Sequence, residues 1–100
     1  MWGIMSKYDI LETKLTNISK YLDKVNIDDE STAEYLRYFK EYVIKLIEAV
    51  HKRIIRNSDG AVLGLVRAIL DYDELCADKI LWSLVIEADL YYSKECKIFS

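Results

Sequence analysis

The sequence predicts an all-α fold, an antiparallel four-helix bundle formed by a single domain over residues 1–100. Three observations predict it. Apolar residues recur at spacings of three and four along most of the chain. The 100 residues include no proline and only three glycines, so residues that break helices are rare. Short polar stretches divide the chain into predicted helices over residues 6–25, 32–56, 61–70 and 72–95.

The first predicted helix begins at the capping sequence Ser6-Lys-Tyr-Asp9 and runs to about Val25. Its apolar stripe alternates steps of four and three: Ile4, Tyr8, Leu11, Leu15, Ile18, Leu22 and Val25. This spacing is typical of a helix that packs along others in a bundle. The stripe is shorter than the repeats of an extended coiled coil, so we expect a bundle helix.

The second predicted helix has the clearest start signal, and we expect the other helices to pack on it. Ser31-Thr-Ala-Glu34 has the form of a capping box, which would open the helix at Thr32. Cationic residues crowd its last turns before Asn57-Ser-Asp-Gly60 ends it near Arg56. Its predicted buried stripe consists of Leu36, Phe39, Val43, Leu46 or Ile47, Val50 and Ile54.

The third predicted helix, Ala61 to Leu70, is apolar almost all round, which indicates burial on most sides. Gly64 would lie in its interior, where the close approach of another backbone usually compensates for the poor helix propensity of glycine. Asp71 is the predicted N-cap of the fourth helix, so the chain would break at Asp71 to Asp73. One continuous helix from Ala61 to about Glu95 remains open, because neither proline nor glycine follows Gly64.

The fourth predicted helix buries one stripe and exposes a charged one. The predicted buried residues are Ala77, Leu81, Leu84, Ala88 and Tyr91. The predicted outer residues are Asp78, Lys79, Glu87 and Asp89. The side that carries Trp82, Ile86 and Tyr92 is more apolar than a solvated face, which indicates an interface.

Composition argues against several classes of function. The net charge of −3 is unlike that of a general nucleic-acid binder. No catalytic, phosphate-binding or metal-binding motif occurs, so we expect a non-enzyme without metal or cofactor. The single His51 fits a cation at a helix C-terminus better than a ligand or a catalytic group. Cys76 and Cys96 are expected to be small buried side chains, with a disulfide between them left open.

Composition also bears on habitat and compartment. The chain has no glutamine and few asparagines beside many Lys and Glu residues, a pattern reported for hyperthermophiles. No apolar run is long enough to span a membrane, and the N-terminus lacks a signal-peptide pattern, so the expected compartment is the cytoplasm. In size and helical architecture alone the chain resembles bacteriocin immunity proteins, accessory subunits of CRISPR effector complexes and of polymerases, and archaeal virus proteins.

We therefore expect a protein-binding module, an accessory or regulatory subunit that docks on a larger assembly or forms a homodimer. The apolar content of 52% is high for a small monomer, and aromatic side chains commonly anchor interfaces. The predicted partner-binding residues are Trp2, Trp82, Ile86, Tyr92 and Phe99. The alternative is a nucleic-acid-associated accessory factor that uses a basic patch at the end of the second helix: Lys45, Lys52, Arg53 and Arg56.

Overall fold

A computed structural model describes residues 6–99. These residues form five helices and no strand: α1 (Lys7–Leu22), α2 (Glu30–His51), α3 (Leu65–Leu70), α4 (Asp73–Cys76) and α5 (Lys79–Glu95). The all-α helical bundle predicted from the sequence is confirmed. The ends of several helices differ from the prediction, and the fourth predicted helix is divided into α4 and α5.

Helix α1 is the centre of the bundle, where the sequence had indicated α2. It packs on both α2 and α5, whereas α3 and α4 pack mainly on α5 and on each other. Its predicted stripe is confirmed at Leu11, Leu15, Ile18 and Leu22, which are buried. Tyr8 and Val25 are half buried, Val25 lies after the helix end at Leu22, and Ile4 lies outside the described residues. Helix α2 packs on α1 and buries Leu36, Phe39, Val43 and Val50. On another side of α2, the hydroxyls of Tyr35 and Tyr42 donate to the carbonyls of Ala68 and Leu63 in and before α3.

Of the two N-caps predicted for α1 and α2, the structure confirms the first and contradicts the second. Ser6 and Asp9 form the predicted capping box, with the Asp9 amide donating to Ser6 Oγ over 3.2 Å and the Ser6 amide to Asp9 Oδ2 over 3.3 Å. Helix α2 instead begins two residues early, because Asp29 rather than Ser31 is its N-cap. Asp29 Oδ2 accepts hydrogen bonds from both the amide and the hydroxyl of Thr32, at 2.8 and 2.7 Å. These bonds lower the pKa of the Asp29 carboxyl.

Helix α2 ends at His51 and not at Arg56. The backbone of Arg53 is left-handed, with φ of 61°, and the Ile54 amide donates to the Ala49 carbonyl over 3.0 Å. This is a Schellman ending. A left-handed arginine is unusual, and its side chain is held in place by the Val50 carbonyl, by Asp9 and by the Tyr8 ring beneath the guanidinium. Ile54, predicted to be buried, therefore leaves the helix and is 70% exposed.

The loop after α2 is fixed to the C-terminal end of α5. Asp59 and Gly60 both have positive φ, at 50° and 87°, and the Ala61 amide donates to the Ser58 carbonyl over 2.8 Å. An Asp-Gly pair suits such a turn. The buried Ser58 donates its amide to the Cys96 carbonyl, and Ser93 donates its hydroxyl to the Gly60 carbonyl. The chain thus reverses beside the end of α5 and runs back along it.

Helix α3 begins at Leu65, four residues later than predicted. Gly64 is its N-cap, with φ of +85°, and a Cβ atom there would have nothing within 4 Å. The left-handed backbone explains this glycine, and the predicted close approach of another backbone is wrong. Burial on most sides is also wrong, because only Leu65 and Ile69 are buried and Leu70 is half exposed.

The predicted break after α3 is confirmed, but its cap lies elsewhere. Asp71 is the C-cap of α3 in right-handed helical conformation. Asp78 is the N-cap of α5, where its Oδ1 accepts from the amides of Ile80 and Leu81, each over 3.1 Å. Tyr21 of α1 donates its hydroxyl to the other oxygen of Asp78 over 2.5 Å, which raises the pKa of Tyr21 to about 12. The hydrogen bond from Tyr21 therefore ties the start of α5 to α1, the central helix.

Replacing Asp78 by alanine is expected to cost about 1–2 kcal/mol of stability, because two helix amides and the Tyr21 hydroxyl would lose their acceptor. Asp71→Ala is the matched control and should change stability by less than about 0.5 kcal/mol, since Asp71 caps no N-terminus. Thermal melts of both variants measure the difference. A larger loss for Asp71→Ala would contradict the observed position of the cap.

Candidate functional site

Asp89 joins α5 to α3 and so defines the surface between them. Its carboxylate is only 4% exposed and accepts hydrogen bonds from two α3 amides, Leu65 N over 3.2 Å and Val66 N over 2.9 Å. Gly64 offers no capping side chain, so the acceptor comes from a neighbouring helix. The predicted position of Asp89 on the outer face is therefore wrong.

The buried face of α5 is rotated relative to the prediction. Its buried apolar residues are Leu81, Val85, Ala88 and Tyr92, while Leu84 and Tyr91 are only half buried and Ala77 is exposed. This rotation places Asp89 against α3 and brings Val85 and Tyr92 into the core. It leaves Leu90 on the open side of the helix, where it is 45% exposed.

An open apolar groove of about 630 Å³ lies between α3 and α5. Val62 and Leu70 contribute its most exposed side chains on the α3 side, at 53% and 51%, and Ile86 and Leu90 form the α5 side. A second hollow of about 380 Å³ is lined by Leu70, Cys76, Lys79, Trp82 and Ser83. Because Leu70 belongs to both, we treat them as one surface, the α3–α5 groove.

Apolar side chains line both walls of the groove. Trp82, Ile86 and Leu90 follow at intervals of four on α5, Val66 and Leu70 do so on α3, and Val62 in the loop before α3 extends that wall. The two helices run antiparallel, since Asp89 near the end of α5 contacts the start of α3 while Trp82 shares a hollow with Leu70 at the end of α3. The result is a continuous apolar strip rather than scattered exposed residues.

Two of the predicted partner-binding residues line this groove, Ile86 and Trp82. Tyr92 lies in the core, where its hydroxyl donates to the Arg56 carbonyl over 2.9 Å, and it contributes nothing to the groove. Phe99 stacks on Tyr8 with ring centroids 4.2 Å apart, away from α3. Trp2 lies outside the described residues. The sequence did not indicate Val62, Leu70 or Leu90, because the segment that holds the first two was expected to be buried.

No known protein family, curated protein or solved structure matches this chain significantly. Among residues 6–99, no cluster of three His, Cys, Asp or Glu side chains could hold a metal ion. No helix in that same range is long and apolar enough to cross a membrane.

The predicted basic patch is only partly free to bind another molecule. Lys45, Lys52 and Arg56 are exposed, but Arg53 donates to Asp9 over 3.1 Å and to the Val50 carbonyl over 3.0 Å. A polar cleft of about 490 Å³ lies nearby, in which His51 faces Glu12 at 3.3 Å. Arg53 and His51 at this cleft thus each have an acidic neighbour, which weakens their attraction for phosphates, while Lys20 lines the same cleft.

The two cysteines are free thiols in different surroundings. Cys96 is completely buried, and burial raises its pKa to about 11. Cys76 is half buried at the edge of the groove and donates to the Ile69 carbonyl over 2.9 Å. Cys76 is therefore a native reporter of access to the groove.

A thiol reagent at pH 7–9 is expected to modify Cys76 at least about tenfold faster than Cys96, because the thiolate is the reactive form and Cys96 stays protonated. Cys76→Ser and Cys96→Ser assign the two phases of the reaction. Burial makes the pKa of the Cys96 thiol higher in the folded chain than in the unfolded chain. The stability that the buried, protonated thiol contributes is therefore complete below pH 9 and is lost as the pH rises toward 11. Fast modification of Cys96 in the folded chain would contradict its burial.

Proposed function

We propose that this chain is a non-enzymatic protein-binding module, an accessory or regulatory subunit of the cytoplasm whose docking surface is the α3–α5 groove. The observation that supports the proposal best is the continuous apolar strip of the groove, which is open to solvent on a domain of only 100 residues. Contiguous apolar surface of this kind is unusual on monomers that have no partner.

The shape of the groove indicates the kind of segment that fits it. Val66 and Leu70 on α3 and Trp82, Ile86 and Leu90 on α5 have helical spacing, and two such rows side by side accept the apolar face of a third helix, as in other helix-in-groove complexes. Trp82 at one end supplies an aromatic anchor. The other apolar side chains of the lining are aliphatic, which suits a Leu-rich or Ile-rich partner face, and the charged residues Arg67, Asp71 and Lys79 lie beside them.

The residues of the groove contribute little to the core, which further supports a binding role. Val62, Leu70 and Leu90 keep about half of their surface in solvent, so burying them in the fold cannot explain them. Their burial against a partner would recover apolar surface at roughly 25 cal/mol per Å² before the costs of association.

A tagged chain incubated with an extract of its source cells tests the proposal. The double variant Val62→Lys/Leu90→Lys should reduce the amount of bound partner at least about tenfold, because two charges would have to be buried in an apolar interface. Tyr38→Lys/Ile44→Lys is the matched control, since both of those side chains are exposed on α2 away from the groove. Equal binding by the groove variant and the wild type would refute the proposal.

The nucleic-acid alternative stays a prediction. The ion pair between Arg53 and Asp9 does not favour it, so we propose no second function.

A further inference from the structure

A short segment after α5, residues 97–99, lies on the start of α1 and is held there through a single peptide group. We call this segment the strap. The carbonyl of Ile98 accepts from Lys7 Nζ over 3.0 Å, and the amide of Phe99 donates to Asn57 Oδ1 over 3.0 Å. The two groups belong to one planar trans peptide, so they point in opposite directions. Lys7 and Asn57 therefore hold the strap from two sides.

The aromatic ring of the strap stacks on a ring that is itself fixed from behind. Phe99 lies on Tyr8 with an angle of 12° between the ring planes, and the guanidinium of Arg53 lies 4.5 Å from the centre of the same Tyr8 ring. Two groups this close to the ring cannot share one face, so Tyr8 lies between them. The site thus offers a stacking surface for one aromatic ring, with a donor and an acceptor for the peptide group before it.

The walls of this site are fixed by contacts that do not include the strap. Arg53 keeps its left-handed backbone, with φ of 61°, through hydrogen bonds to the Asp9 carboxylate and the Val50 carbonyl. Strained backbone that several contacts hold in place is common at binding sites. The residues on both sides of Asn57 are hydrogen-bonded to α5 and its C-cap, Arg56 to Tyr92 and Ser58 to Cys96. The site is therefore formed independently of the strap that fills it.

The strap itself is held by few contacts. Lys97 and Ile98 are exposed, Phe99 is half buried, and both hydrogen bonds of the peptide group lie at the surface. Segments with few buried side chains and exposed hydrogen bonds open locally at little cost in free energy while the rest of the fold stays intact. The strap can therefore leave its site without unfolding the bundle.

From this arrangement we infer that the start of α1 is a peptide-binding site, that the strap fills it as an autoinhibitory contact, and that a short peptide with an aromatic side chain takes the place of the strap. Hydrogen bonds to the main chain supply affinity in such a site, and the surface for the side chain supplies specificity. No residue of this site lines the α3–α5 groove, so the inference is independent of the proposed function.

The strap competes with an added peptide because it is attached beside the site. A segment on a short linker acts at an effective concentration on the order of millimolar. A site that is open in only a fraction of the molecules binds its ligand with an apparent affinity reduced in proportion to that fraction. Removing the ring of Phe99 should therefore raise the affinity for an added peptide.

Titration of the isotope-labelled full chain with a synthetic peptide of residues 97–100, Lys-Ile-Phe-Ser with both ends blocked, tests the inference by NMR. Phe99→Ala should bind this peptide at least about tenfold more tightly than the wild type, with shifts at Tyr8 and Asn57. Ile98→Ala is the matched control, since that neighbouring side chain is 61% exposed, and it should bind as the wild type does. The same peptide with alanine in place of phenylalanine should not bind.

Two further variants separate loss of the strap from damage to the fold. Phe99→Leu keeps apolar bulk without the stacking ring, and it should gain affinity in the same direction as Phe99→Ala. Adding Asn57→Ala to either variant removes the acceptor for the peptide amide and should return the affinity to the wild-type level or below. Binding by both Phe99 variants no tighter than by the wild type, or equal binding of the phenylalanine and alanine peptides, would overturn the inference.

Discussion

Replacing Asp89 by alanine is expected to destabilise the folded chain by about 3 kcal/mol. The buried carboxylate is the acceptor for the Leu65 and Val66 amides, and the Leu65 amide would lose its partner away from water. A capping bond from another helix also fixes the position of α3, so its loss should loosen that wall of the groove.

Chemical denaturation measures this loss, with two variants as references. Asp89→Asn keeps one acceptor oxygen and should cost less than the alanine change, about 1–2 kcal/mol. Glu87→Ala removes an exposed carboxylate two residues away on α5 and should have almost no effect. A loss below about 0.5 kcal/mol for Asp89→Ala would show that α3 does not depend on this bond.

Leu15→Ala is expected to have the other large effect and to lower the free energy of unfolding by about 3–4 kcal/mol. The reason is that the shorter side chain leaves a cavity in the core around α1, the helix on which both α2 and α5 pack. Leu15 is completely buried in α1. Leu90→Ala makes the same chemical change in the groove, where the side chain is 45% exposed, and it should cost less than about 1 kcal/mol. Equilibrium unfolding of both variants compares core with groove.

If the two leucines proved equally important for stability, the division between core and groove would be wrong. If Leu90→Ala lowers the free energy of unfolding far less than Leu15→Ala, the apolar side chain of Leu90 is not needed for stability. That result is the condition for assigning Leu90 to binding.

The sequence predicted most accurately the elements whose position a single residue pattern determines. The stripe of α1 alternates without a fault, and Leu11, Leu15 and Ile18 are buried accordingly. The cap at Ser6 was also predictable, because only one capping sequence precedes α1. At the start of α2, however, Asp28, Asp29 and Ser31 are all capping residues. The choice of Asp29 depends on its double contact with Thr32, which no spacing reveals.

Helix α5 shows why the groove was only half predicted. Its apolar residues occur on almost every side, so periodicity could not select the buried stripe. The surplus of apolar residues around Trp82 and Ile86 pointed to the side of α5 that lines the groove, but Tyr92 was assigned to that side by the same reasoning and lies in the core. Asp89 was predicted to face solvent, because the pattern along α5 cannot show that the Asp89 carboxylate accepts hydrogen bonds from the amides of α3.

The other wall of the groove depends on a single backbone conformation. Gly64 can be read as a residue inside a helix or as the left-handed residue before one, and only the second reading starts α3 at Leu65. It also places Val62 before the helix and leaves Leu70 on the open side. The exposure of these residues therefore followed from a turn that the apolar run from Ala61 to Leu70 concealed.

Site-specific photo-crosslinking tests the central claim, that the α3–α5 groove is the docking surface, most directly. A photoreactive phenylalanine analogue is placed at Leu70, which belongs to both parts of the groove, and in a second chain at Tyr38, which is 63% exposed on α2. After irradiation in source-cell extract, we predict a discrete protein adduct from position 70 and none from position 38, with twice the mass of the chain if the partner is a second copy. Adducts of equal yield from both positions, or none from position 70, would contradict the claim.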